Sequence, residues 1–120
     1  LKILQKIQKG AIKGVICTHS LSECYSVLTA YPIKPMILPS TAETLIQRNI
    51  LPYFKIVELS LDDYQKAIQR VLSCNLRSGV IFDALILQAA LKKKAKALYT
   101  WNKSDFERIA GSEMSVVEPL

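Results

Sequence analysis

Cysteine is scarce and irregularly placed, with Cys17, Cys24 and Cys74 the only three in 120 residues. An odd number without Cys-x-x-Cys spacing excludes a disulfide framework and a cysteine-rich zinc site. Apolar neighbours make the three thiols expected to be buried and free, as in a reducing cytoplasm. His19 is the single histidine. With no second histidine and no Ser or Cys motif around it, a catalytic triad is unsupported, and a surface or capping role suits it. Four glycines are present and none builds a phosphate-cradling loop, which argues against nucleoside triphosphate hydrolysis of the P-loop kind. Long apolar runs are also missing. The longest uncharged stretch is ten residues, Cys24 to Ile33, against roughly twenty for a spanning helix, so no membrane segment is expected. The chain opens at Leu1, without Met, directly in a helical pattern, so the absence of a signal peptide carries no weight.

Half of the residues are hydrophobic, enough for one core, and residues 1–120 are expected to form a single domain. Sixteen basic against ten acidic side chains leave a net charge of +6, which permits an anionic partner such as nucleic acid without identifying one. The densest basic run, Lys92-Lys93-Lys94-Ala95-Lys96, sits where lysines also complement the dipole of a helix end.

Leu1, Leu4 and Ile7 repeat at helical spacing up to about Lys9, and Gly10 tolerates the positive φ of a helix end. Gly14 to Thr18 reads as a short buried strand. Ser20-Leu21-Ser22-Glu23 has capping-box spacing before a helix that ends at Tyr31-Pro32. Pro32, Pro35 and Pro39 mark a loop. A second box, Ser40-Thr41-Ala42-Glu43, predicts a helix ending before Pro52, followed by a strand from Tyr53 to Leu59. Ser60-Leu61-Asp62-Asp63 starts a helix whose Tyr64, Ala67, Ile68, Val71 and Leu72 form one buried face. The remainder predicts a helix from Val80 to Lys94, a strand from Ala97 to Thr100, a short helix capped by Ser104, and a last strand at Val116-Val117. Helices alternating with short buried strands imply an α/β fold of three layers, α/β/α, around a central parallel sheet.

In such sheets ligands bind beyond the carboxyl ends of the strands. Glu23 follows one strand end, Asn102 and Asp105 follow another, and Asp83 opens a helix that can point into the same crevice. Each has an ordinary reading. Glu23 is the partner of a capping box, Asp83 and Asp105 are first-turn acids, and Asn102 is a turn former. Asp83, however, is embedded in Phe82, Ala84, Leu85 and Ile86, where an ionised group is costly without compensation. Three convergent carboxylates repel unless a cation lies between them, which points to a divalent metal. Trp101 can pack or can stack on a base.

The Ser20 to Leu28 segment with Glu23, the Phe82-Asp83-Ala84 helix start, and Thr100-x-Asn102-x-x-Asp105-Phe106 together resemble a PIN domain of the VapC toxin type. The resemblance runs in order along nearly the whole chain. It implies a metal-dependent endoribonuclease with Glu23, Asp83 and Asp105 as ligands of Mg²⁺ or Mn²⁺ and Asn102 as a polar supporting residue. RNA as substrate, a cytoplasmic location, a homodimer, and inhibition by an antitoxin whose tail fills the groove are further implications. One departure stands out. The family pattern begins with a strand ending in Asp, and nothing before Leu1 supplies it. The expectation is that an upstream segment carries that strand, since a central parallel strand removed from such a core leaves backbone groups unpaired.

Overall fold

The computed structural model describes residues 2–119. Helix α1 (Lys2–Gln8) closes with Gly10 at φ 79°. Its Gly10 N–H donates to Ile7 O and Ala11 N–H to Lys6 O, the Schellman pattern that a residue without Cβ enters at little cost. Strand β1 (Gly14–Cys17) leads straight into α2 (Thr18–Ala30). After the loop at residues 31–38 come α3 (Pro39–Asn49) and β2 (Phe54–Val57). Then follow α4 (Leu61–Ser73), α5 (Val80–Lys92), β3 (Ala97–Tyr99), α6 (Lys103–Ala110) and β4 (Ser115–Val117). No helix among the described residues is long and apolar enough to cross a membrane.

The α/β class agrees with the sequence reading, but the sheet differs. Instead of one central ladder there are two parallel pairs. In one, β1 runs beside β2 with Gly14 opposite Phe54 and Cys17 opposite Val57. In the other, β3 runs beside β4 with Ala97 opposite Ser115, extended by Thr100 N–H to Val117 O at 2.9 Å. Among the described residues no ladder joins the pairs. Helix α5 holds them together. Its sequence is apolar on nearly every side, the mark of a helix packed all round. Leu85, Leu87 and Ala84 join Leu98, Phe106, Ile109 and Met114 in one core, while Ala89 joins Cys17 and Val57 in a second.

Several helix starts depart from the capping spacings. Cys17 is the N-cap of α2, so Ser20 and Glu23 lie inside the helix and make no box. An extended strand residue can cap a helix by backbone alone, which lets α2 begin three residues early. Pro39 opens α3 behind Leu38. A proline at the first helical position has φ preset and lacks an N–H that would have had no partner anyway, so it outcompetes the Ser40 box. Asn102, not Ser104, is the N-cap of α6, without a side-chain cap bond. Of the three capping spacings, the one at Ser60 forms a box. Asp63 N–H donates to Ser60 Oγ at 3.2 Å and Ser60 N–H to Asp63 Oδ2 at 2.8 Å.

Burial corrects two further expectations. On α4 only Ala67 and Val71 of the anticipated face are buried, while Tyr64, Ile68 and Leu72 are exposed beside Leu61. Helix α5 packs on one edge of the helix, and a stripe that wide cannot all face it. Cys17 is buried, Cys24 partly so, and Cys74 exposed, because Cys74 lies at the C-cap of α4. The lysine run lies exposed at the end of α5, as the helix-end reading has it, and its first member is also tied down. Lys92 reaches back with Nζ 2.6 Å from Asp63 Oδ2 and 3.1 Å from Glu58 O, and α5 stops there rather than at Lys94, which turns at φ 53°.

Candidate active site

Three turns of helix carry the acids. Glu23 lies on the second turn of α2, Asp83 on the first turn of α5, and Asp105 on the first turn of α6. Their meeting shows in the ionisation of Asp83. Its carboxyl is pushed above the usual range, chiefly by burial, then by the negative charges of Asp105 and of Glu23, with Arg108 opposing. Like charges raise a carboxyl in this way only when they are close. Asp105 and Glu23 are thus near enough for their charges to reach Asp83, which is itself half-buried, while Glu23 is exposed.

Each of the two flanking acids has a basic side chain beside it. His19 Nε2 lies 2.9 Å from Glu23 Oε1, one helical turn earlier. Arg108 Nη2 lies 3.2 Å from Asp105 Oδ1, one turn later. The His19 ring also stacks on Phe82, with centroids 5.2 Å apart and planes 4° from parallel. This contact ties the start of α2 to the start of α5. Asn102 enters through its backbone. Its N–H donates to Thr100 Oγ1 at 3.0 Å and its carbonyl accepts from Phe106 N–H at 3.2 Å. Its side chain is exposed at the edge of the site.

His19, Phe82 and Arg108 are the members that reading the sequence for carboxylates overlooks. The signal for two of them was present. His19 and Glu23 stand at i,i+4, and Asp105 and Arg108 at i,i+3, the spacings at which helical side chains meet. The His19–Phe82 stack spans sixty-three residues of sequence, and no local pattern announces it.

In kind, the donors suit Mg²⁺ or Mn²⁺, which prefer carboxylate oxygens and keep several waters. In shape the site is open. Among the described residues no three His, Cys, Asp or Glu side chains are drawn together as a finished chelating group, and Glu23 and Asp105 lean toward His19 and Arg108. A separate charged cluster, where Asp63 accepts from Lys92, Gln88 and Ser60, is a helix lock between α4 and α5 and contains none of the three acids.

A family model described as PIN domain matches residues 1–112. No curated protein and no solved structure matches the chain.

Proposed function

The chain belongs to the PIN domain family, whose members are generally nucleases, and we propose from this that it is a metal-dependent endoribonuclease that hydrolyses RNA phosphodiester bonds. Beside the family match, the reading is supported by the Asp83 carboxyl, held above the usual carboxylate range by burial and then by the charges of Asp105 and Glu23. A site that leaves a half-buried acid in the field of two others is unfavourable for the bare protein and favourable around a cation.

Glu23, Asp83 and Asp105 would hold Mg²⁺ or Mn²⁺, directly or through water. When bound, such an ion supplies a more acidic water and neutralises charge developing on the phosphate. The protein's own groups do the rest. Asp83, least solvated of the three, anchors the site and is best placed to orient a water. His19 and Arg108 steady Glu23 and Asp105 when the groove is empty, and Arg108 becomes available to a phosphate oxygen once Asp105 turns inward. Asn102 offers an exposed amide at the rim. The net positive charge of the chain favours the polyanion without reading bases.

Within this reading the protein acts in the cytoplasm as the toxin of a toxin–antitoxin pair, as a homodimer, with an antitoxin segment filling the groove. A second reading, a noncatalytic module that binds RNA or protein, draws on the two acids already matched with His19 and Arg108.

Incubation with a single-stranded RNA in Mg²⁺ or Mn²⁺ tests the proposal. Cleavage is expected that stops with EDTA and is lost in Asp83→Asn while binding persists. Cleavage that resists EDTA, or that survives in Asp83→Asn, would remove these acids from the chemistry. Tight RNA binding with no cleavage under any cation would favour the module.

A further inference from the structure

Two large aromatic side chains adjacent in sequence to the candidate site residues are left in solvent. Phe82, the residue before Asp83, is 50% exposed, and Trp101, the residue before Asn102, is 63% exposed. Trp101 therefore does not play the packing role that is commonest for a lone tryptophan. Burying rings of this size is ordinarily favourable, so surfaces left uncovered next to a polar site need a reason.

Phe82 is also half of a finished stack. One side of its ring meets His19 at 5.2 Å with planes 4° from parallel. His19 is in turn held at 2.9 Å by Glu23. The ring is thereby oriented from behind, by an element that also carries an acid, while half of its surface remains open. Such an arrangement suits a flat π-faced ligand that extends the stack by one layer.

We propose that Phe82, backed by His19, is a nucleobase-binding subsite, and that Trp101, exposed just ahead of α6, forms a second one. A base unstacked from single-stranded RNA would lie on Phe82 while its neighbour lies on Trp101, which sets the intervening phosphate over Asp83. This rests on the nuclease reading for the position of the phosphate, but not for the stacking itself. Single strands expose their base faces, whereas a duplex hides them, so the subsites select unpaired nucleotides. Lys103, next to Asn102, and Arg108 provide positive charge for the flanking phosphates.

Binding of a fluorescein-labelled single-stranded RNA, measured by anisotropy in EDTA, tests this without any cleavage. Phe82→Ala and Trp101→Ala should each weaken binding about tenfold, the scale of losing one base–aromatic stack. Phe82→Tyr and Trp101→Phe should restore most of it, and Phe82→Leu, which keeps bulk and fold, should not. An RNA with one abasic position should bind the wild type about as weakly as the intact RNA binds the Ala variants. Trp101 is the only tryptophan, so its intrinsic fluorescence should be quenched by the intact RNA. Equal affinity of the Leu and Tyr variants, or indifference to the abasic position, would overturn the subsites. Aromatic-dependent binding together with EDTA-resistant cleavage would uphold the subsites and sink only the nuclease reading of the acids.

Discussion

Asp83→Asn should make the metal-free protein more stable, an unusual outcome for a half-buried polar residue. The Asp83 carboxyl ionises above its normal range because of burial and of the charges on Asp105 and Glu23. Two unit charges roughly 7 Å apart at an effective dielectric of about 20 repel by about 2 kcal/mol. Glu23 is exposed and sits beside His19, and Asp105 beside Arg108, so pairing and salt reduce that to about 1 kcal/mol in total. Asparagine keeps the shape and removes the charge. The gain should register as a rise of about 4 °C in Tm at pH 7 in EDTA. The sign with pH follows from the direction of the shift. A raised carboxyl favours the fold only while protonated. Its contribution is complete below the unfolded value of about 3.9 and is lost as pH rises through the higher folded value. The advantage of Asp83→Asn should therefore be absent near pH 3, grow above about pH 4, and then level off. Mn²⁺ should reverse the order. A cation at about a hundred times its Kd stabilises the wild type by about 2.7 kcal/mol, and the variant much less. Differential scanning fluorimetry across pH, with EDTA and with Mn²⁺, measures both effects. A variant less stable than wild type in EDTA at pH 7, or equal stabilisation of both by Mn²⁺, would refute the picture of an acid cluster awaiting a cation.

Two other perturbations probe the scaffold. Asp63 is 5% exposed, and its carboxyl is held far below the usual range, first by Lys92 and then by the Ser60 backbone N–H. Asp63→Ala strands Lys92 and Gln88 and should cost about 3 kcal/mol in urea unfolding at pH 7. Because this shift is downward, the Asp63 contribution is present above about pH 4 and fades as pH falls below it, so the penalty should shrink at pH 3; a loss under about 1 kcal/mol at pH 7 would contradict the lock. A Cβ on Gly14 would stand 2.8 Å from two ring carbons of Phe54 and 2.9 Å from Ile7 Cδ1. Gly14→Ala should then cost about 1–3 kcal/mol, and a double-mutant cycle with Phe54→Leu should recover part of it; additive losses would show that the ring is not the obstacle.

The parts of this protein that could be read from its residues are those encoded within a few positions. Gly10 ends α1 as its backbone freedom suggests, and the Ser60–Asp63 pair starts α4 because both members of the box are three residues apart. The alternation of helix and strand, and with it the α/β class, follows from apolar periodicity. The acids were noticed because Asp83 sits in an apolar run and because the spacing after Thr100 is distinctive. Local signals also misled where two of them competed. Ser20 and Ser40 carry capping spacings as good as that of Ser60, yet the strand end at Cys17 and the ring of Pro39 start their helices first.

What lay beyond the sequence depends on groups brought together from far apart. Whether four short strands make one ladder or two is decided by how α5 packs between them, since apolar runs state burial but not partners. The same packing exposes Tyr64, Ile68 and Leu72 while hiding Ala67 and Val71, for a stripe can be wider than the surface that receives it. Asp83 feels Glu23 and Asp105 only because three helix starts converge, and the ring of Phe82 meets His19 only because α2 and α5 begin side by side. Residue type supplied the carboxylates and the aromatics. Their mutual distances, and hence the repulsion and stacking on which the proposed chemistry rests, are properties of tertiary structure alone, because Coulomb and π interactions depend on separation in space and not along the chain.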